Sequence, residues 1–111
     1  MRNEDTGDGL SLIAAERWRQ VEVEGYQFAH DDAHDEGELA IAAACYAASS
    51  ANEQLFIDNT GNREGDAMVD PWPFEKALDK RLKHNRMKKL AIAGALIAAE
   101  LDRLLRIVDR T

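Results

Sequence analysis

Two histidines and five acidic residues lie close together in residues 30–40, HDDAHDEGELA. If this segment were helical, His30, His34 and Glu38 would lie on one face, because they are four residues apart. Two imidazoles and a carboxylate suit zinc or a similar divalent ion, and the aspartates add oxygen ligands suited to magnesium or manganese. The alternative is a solvated loop with an acid capping the next helix, because Gly37 and the aspartates disfavour a continuous helix. The residue types leave both interpretations open.

Acidic residues elsewhere could complete a cation site with Glu38. Glu16 shares a helical face with Arg19, and Glu100 directly follows an alanine-rich stretch. A carboxylate entering an alanine-lined bundle loses hydration, so it needs a cation, an arginine or a helix end as a partner. If the helices carrying Glu38 and Glu100 run antiparallel, the two acids come together and repel unless a divalent ion or Arg19 lies between them. We therefore predict a cleft at this point with two further polar residues at its rim, His34 and Asp32, whereas ordinary surface ion pairs are the alternative for Glu16.

Two other segments suit an anionic, flat ligand. In DPWPF, residues 70–74, two prolines hold Trp72 in a stiff segment, where it could stack on a nucleobase or close one end of the core. The segment KRLKHNRMKK, residues 80–89, holds six of the chain's fourteen lysines and arginines. Lys83 and its neighbours could contact phosphates, or form the solvated flank of a helix.

The hydrophobic spacing predicts the helices that position these residues. We expect a first helix from Ser11 to about Gly25, a second from about Glu36 to residue 52, and a last one from near Lys83 to about Val108. A short helical turn is expected near Phe74. The fold class is therefore all-α, a bundle of three or four helices in a single domain over residues 1–111, with residues 1–9 flexible.

The second and last helices are both rich in alanine. Small side chains let helix axes approach closely, so we expect Gly94 and its flanking alanines to pack against one face of the second helix, Ala40, Ala43, Ala44 and Ala47. Both helices are apolar on more than one side, which predicts self-association, most simply as a dimer.

Composition limits the classes of function. The formal net charge of −7 argues against a stable nucleic-acid binder but leaves room for a nucleotide site with local positive charge. The single cysteine, Cys45, is expected to be a buried thiol, consistent with a reducing cytoplasm. The longest apolar runs are about half of what a membrane span requires, so we expect a soluble cytoplasmic protein.

The segments ERWRQVEVEGYQFAHDDAHDEGELAIAAACYA, PWPF and KKLAIAGALIAAELDRLLR together resemble small phage and prophage proteins of the MazG type. These are all-α relatives of the nucleoside triphosphate pyrophosphohydrolases, and the resemblance covers most of residues 13–106. It implies magnesium- or manganese-dependent cleavage of a nucleoside triphosphate to the monophosphate and pyrophosphate. Lys88 and Lys89 stand where that superfamily has an acid.

The resemblance and the residue types together give a set of candidate site residues. The candidate catalytic residues are Glu38 and Glu100, and the candidate metal ligands are Glu16, Asp32, Glu38 and Glu100. The candidate nucleotide-binding residues are Arg19, His34, Trp72 and Lys83. The alternative is a non-catalytic phage protein of the same fold that sequesters a nucleotide or inhibits a host defence protein.

Overall fold

Helices dominate the part of the chain that the computed structural model describes, which is residues 7–23, 33–51, 56–57, 68–69 and 71–110. Three α-helices lie in these ranges: α1 (Gly7–Glu22), α2 (Glu38–Ala51) and α3 (Arg86–Arg110). Two 3-10 turns, Lys76–Leu78 and Arg81–Lys83, precede α3. The two-residue strands β1 (Phe56–Ile57) and β2 (Met68–Val69) pair in parallel, with Phe56 opposite Met68. The predicted all-α class is confirmed, and none of the described helices is long and apolar enough to cross a membrane.

The helix starts differ from the predicted ones. Helix α1 already includes Gly7, so residues 7–9 are helical, while residues 1–6 lie outside the described ranges. Helix α2 begins after Gly37, whose φ of 85° lies in the left-handed region and whose carbonyl accepts the first helical hydrogen bond, from Ile41 N at 2.9 Å. Helix α3 begins after Asn85, whose side-chain Oδ1 accepts from Lys88 N at 2.9 Å.

The main core lies between α2 and α3, as predicted. At the end of α2 the carbonyl oxygen of Ser49 accepts a hydrogen bond from Lys89 Nζ, near the start of α3, at 3.3 Å. The shared core precedes Ser49 in α2 and follows Lys89 in α3, so the two helices run antiparallel. Its members are Leu39, Ala42, Ala43, Tyr46, Ile92, Ala93, Leu96 and Ala99.

The face of α2 that enters this core was predicted incorrectly. Ala40, Ala44 and Ala47 are exposed, and of the predicted alanines Ala43 is buried. Helix α2 is small and apolar all round, so its alanine pattern favours no single face. Burial of Leu39 together with Tyr46 favours the observed orientation over one that would bury Ile41, because transfer free energy grows with apolar area. Leu39 and Tyr46 therefore turn inward.

Gly94 permits a close approach, but to α1 rather than to α2. A Cβ atom built on Gly94 would lie 2.6 Å from both Cγ1 and Cδ1 of Ile13. Ile13 is β-branched and cannot simply rotate away. The predicted close packing of Gly94 against the alanines of α2 is therefore wrong. Gly94 instead leaves room for the side chain of Ile13.

Gly94→Leu is expected to lower the free energy of unfolding by about 1–3 kcal/mol, because the side chain must displace Ile13 and with it α1. Gly9→Leu is the matched control, since Gly9 also lies in a helix and a Cβ there would meet nothing within 4 Å. Urea denaturation followed by circular dichroism measures both. Equal midpoints for Gly94→Leu and the parent would show that this contact does not position α1.

Candidate functional site

A cavity of about 570 Å³ opens between the helices and the segment 71–84. Its apolar floor comes from α2 and α3, with Leu39, Ala42, Ile92, Leu96 and Ala99. Aromatic residues line one part of the cavity, the aromatic wall, and cationic or polar residues from α1, from residues 80–84 and from the start of α3 line another part, the cationic wall. The remaining lining residues are Tyr46, Trp72, Phe74, His34, Leu78, Arg19, Gln20, Lys80, Lys83, His84 and Lys88.

The aromatic wall is a chain of edge-to-face contacts. Trp72 contacts Tyr46 and Phe74, both at centroid distances of 5.8 Å, and Phe74 contacts His34 at 4.9 Å. Trp72 and Phe74 are partly buried and pack against the core. The two prolines stiffen the backbone of this segment, and Trp72 Nε1 donates to the carbonyl of Glu75 at 3.1 Å. Both interpretations of Trp72 are thus compatible, since the ring covers the core and also lines the cavity.

A buried charge network holds the segment that carries this wall. The guanidinium of Arg81 lies 5.2 Å from the Trp72 ring centroid, in cation–π contact. The Arg81 side chain also donates to both carboxylate oxygens of Asp79, at 2.9 and 2.5 Å. Burial acts to raise the pKa of Asp79, but the hydrogen bonds and charge of Arg81 and the charge of Lys89 prevail and lower it. Arg81 is 7% exposed and Lys89 1% exposed, so Asp79 compensates two buried cations.

Glu16, like Asp79, compensates two cations, and here both cations belong to the cationic wall. Its carboxylate is buried and accepts from Arg19 Nη2 and from Lys88 Nζ, both at 2.5 Å. Burial acts to raise the pKa of Glu16, and the hydrogen bonds and charges of Arg19 and Lys88 more than reverse this, so the pKa is lowered. Arg19 and Lys88 line the cavity, whereas Glu16 does not. The acid predicted as a metal ligand therefore binds two cations of its own chain.

The other predicted acids are also engaged. Glu38 accepts a hydrogen bond from the backbone N–H of Glu36 at 2.6 Å, and its Oε2 lies 3.5 Å from His34 Nδ1. Its own backbone N–H, that of Glu36 and the imidazole of His34 lower the pKa of Glu38, although burial opposes them. Glu100 accepts from Arg103 Nε at 2.6 Å. Glu38 therefore accepts a hydrogen bond at the start of its own helix and contacts His34, and its role as a metal ligand stays a prediction.

The described residues do not fit a divalent metal centre by themselves. Among them, no group of three or more histidine, cysteine, aspartate or glutamate side chains is placed to hold a metal ion. Glu16, Glu38 and Glu100 each bind a donor of this chain, as given above. Asp32 and His30 lie outside the described ranges, so the predicted metal centre stays a prediction.

The predicted nucleotide-binding residues are brought together. Arg19 comes from α1, His34 from the residues before α2, and Trp72 and Lys83 from the segment 71–84, and all four line this cavity. Whether they bind a nucleotide stays a prediction. Sequence reasoning missed further lining residues: Tyr46, Lys80, His84 and Lys88. Three of these belong to the basic segment 80–89, so that segment was the signal that could have found them.

Comparison with other proteins gives no guide to the site. No family model, no curated protein and no solved structure matches the chain. The chemistry of the cavity is therefore the basis on which a function can be proposed.

Proposed function

We propose that the cavity binds a nucleotide, with its base against the aromatic wall and its phosphates at the cationic wall. The supporting observation is the composition of the lining. Four side chains that carry positive charge border the cavity, namely Arg19, Lys80, Lys83 and Lys88, and no carboxylate does so among the described residues. A cavity bordered by four cations is unusual in a chain with a net charge of −7. Aromatic rings stack on any base, and cations attract phosphate, so the two walls match the two halves of a nucleotide.

The resemblance to MazG-type phage proteins supports the same ligand class and adds hydrolysis as a proposal. Cleavage of a nucleoside triphosphate to monophosphate and pyrophosphate would use magnesium or manganese, with Glu38, Glu100 and Asp32 as the remaining candidates. A protein that only sequesters a nucleotide needs the cavity but not the metal. A protein that inhibits a host defence protein needs neither.

The test uses the two tryptophans separately. Trp18 is exposed and does not line the cavity, so Trp18→Phe leaves Trp72 as the single tryptophan. Saturable quenching of Trp72 by AMP, ADP or ATP is the expected result. Trp72→Phe should weaken nucleotide binding, which calorimetry measures, because it removes the larger aromatic ring from the cavity. Failure of every nucleotide to bind, checked by calorimetry, would overturn the proposal, and chromatography of the same mixtures with magnesium or manganese detects hydrolysis.

Self-association through α3 is a second part of the proposal. Ile97, Leu101, Leu104 and Val108 follow one another at spacings of three and four and are 44–65% exposed. Leu105 and Ile107, on either side of this stripe, are 59% and 40% exposed, so two copies of the chain can bury the same apolar surface against each other. A second copy of the chain is therefore the partner that fits.

Leu104→Glu is expected to convert the dimer to a monomer, because it places two carboxylates in the apolar contact. Sedimentation velocity at micromolar concentration measures the change. Leu82→Glu is the control, since Leu82 is also exposed but lies outside α3. A monomeric parent protein would contradict the proposal.

Anion binding near His84 is expected to strengthen as pH falls from neutrality toward the lowered pKa of His84. Burial lowers the pKa of His84, as do the charges of Lys88, Arg19 and Lys83, against the opposing charge of Glu16. A bound anion favours the protonated imidazole and raises this pKa, so binding takes up a proton. Sulfate is a suitable probe because its charge is constant over this range. His84→Gln should reduce the pH dependence, since His34 also lines the cavity; a profile equal to the parent's would contradict the assignment.

A further inference from the structure

The cavity wall contains an ion cluster whose acidic member does not face the ligand space. In this cluster, which we call the Glu16 cluster, the carboxylate of Glu16 joins the guanidinium of Arg19 and the ammonium of Lys88. Glu16 is 3% exposed, while Arg19 and Lys88 both border the cavity. One carboxylate thus fixes two cationic side chains that come from different helices.

We propose that phosphate binds directly to Arg19 and Lys88 of the Glu16 cluster, without a bridging divalent cation. This rests on the proposed nucleotide binding and specifies its chemistry. The ligand class is a metal-free phosphate ester, and Glu16 is a positioning residue.

The first reason is that both oxygens of Glu16 are already bound. Arg19 Nε and Nη2 lie 3.0 and 2.5 Å from Oε1, and Lys88 Nζ lies 2.5 Å from Oε2. Magnesium needs ligand oxygens at about 2.0–2.1 Å and would have to displace one of these cations while lying beside the other. Repulsion from the cation that remains opposes this step.

The second reason is charge. Arg19 and Lys88 together exceed the charge of Glu16 by one unit, and Lys80 and Lys83 add two more at the same cavity. The protein thus supplies from its own side chains the positive charge that a divalent ion otherwise brings to a phosphate. Because Glu16 holds Arg19 and Lys88 in place, less side-chain entropy is lost when phosphate binds.

The decisive experiment is titration of the full chain with ADP in EDTA and, separately, in magnesium. We expect the two dissociation constants to agree within about threefold, less than 1 kcal/mol. Binding in magnesium but not in EDTA would overturn this inference and leave the proposed nucleotide site standing. Absence of binding in both would overturn the proposed function itself.

Substitutions of Lys88 provide a second measurement. Lys88→Gln is expected to weaken ADP binding in EDTA by about tenfold, since it removes one charge-assisted contact. Lys76→Gln is the matched control, because Lys76 is exposed in the first 3-10 turn and does not line the cavity. Lys88→Glu places a second acid beside Glu16 and should make the remaining binding depend on magnesium. Unchanged affinity of folded Lys88→Gln in EDTA would overturn the inference.

Discussion

Asp79→Ala is expected to lower the free energy of unfolding by about 3–5 kcal/mol, the cost of removing one member of a buried ion pair. Arg81 and Lys89 are both buried, and Asp79 is the carboxylate that faces them in the contacts described above. Removing it takes away the carboxylate that Arg81 binds through two hydrogen bonds and that attracts Lys89. Few single substitutions on this chain should cost as much.

Thermal and urea denaturation measure this loss, and Asp109→Ala is the control because Asp109 is exposed near the end of α3. The dependence of the unfolding free energy on pH in the acid range provides a second measurement. The folded pKa of Asp79 is below its ordinary value of 3.8, so its contribution to stability is complete above that value and is lost as pH falls through the lowered pKa. The variant should lack this acid-dependent loss. A change in stability no larger than that of Asp109→Ala would contradict the role given to the network.

Lys83→Glu is expected to weaken nucleotide binding by roughly tenfold to a hundredfold, about 1.4–2.8 kcal/mol. The reason is that an attractive charge at the cavity becomes a repulsive one. Lys76→Glu is an unusually close control: both lysines are exposed, both lie in 3-10 turns, and both substitutions change the net charge equally. Only Lys83 lines the cavity.

Calorimetric titration with ADP at two salt concentrations separates local from general electrostatics. General charge repulsion is screened by salt and should affect both variants alike. The difference between them should persist at the higher salt concentration. If Lys76→Glu weakens binding as much as Lys83→Glu, the phosphates do not bind at this wall.

The sequence allowed the helices to be predicted, and the types of residue in it indicated the candidate site residues. Helix α3 could be predicted because its apolar residues keep helical spacing over many turns, and Asn85 then provides a local start signal. Arg19, His34, Trp72 and Lys83 were singled out because cations, imidazole and a stiffened tryptophan suit a nucleotide. These features are local, so they can be recognised without knowing the fold.

Partners distant in the chain could not be predicted. Glu16 and Lys88 are 72 positions apart, and neither residue type indicates the other. Sequence reasoning stated correctly that a buried carboxylate needs a cation. A metal ion, an arginine and a lysine all meet that need, so the sequence does not distinguish among them. Likewise the small residues around Gly94 fit any close neighbour, and only the packed structure identifies Ile13.

The unequal lengths of α2 and α3 have a consequence for amide hydrogen exchange. Helix α3 has 25 residues and α2 has 14, and the end of α2 lies beside the start of α3. The last two turns of α3, after Arg103, therefore extend past the first turn of α2 and carry mostly exposed side chains. Their amides should exchange by local opening, well before those around Ala95, which require global unfolding. If two copies associate through α3, protection of these last turns should rise with protein concentration while that of the core stays constant.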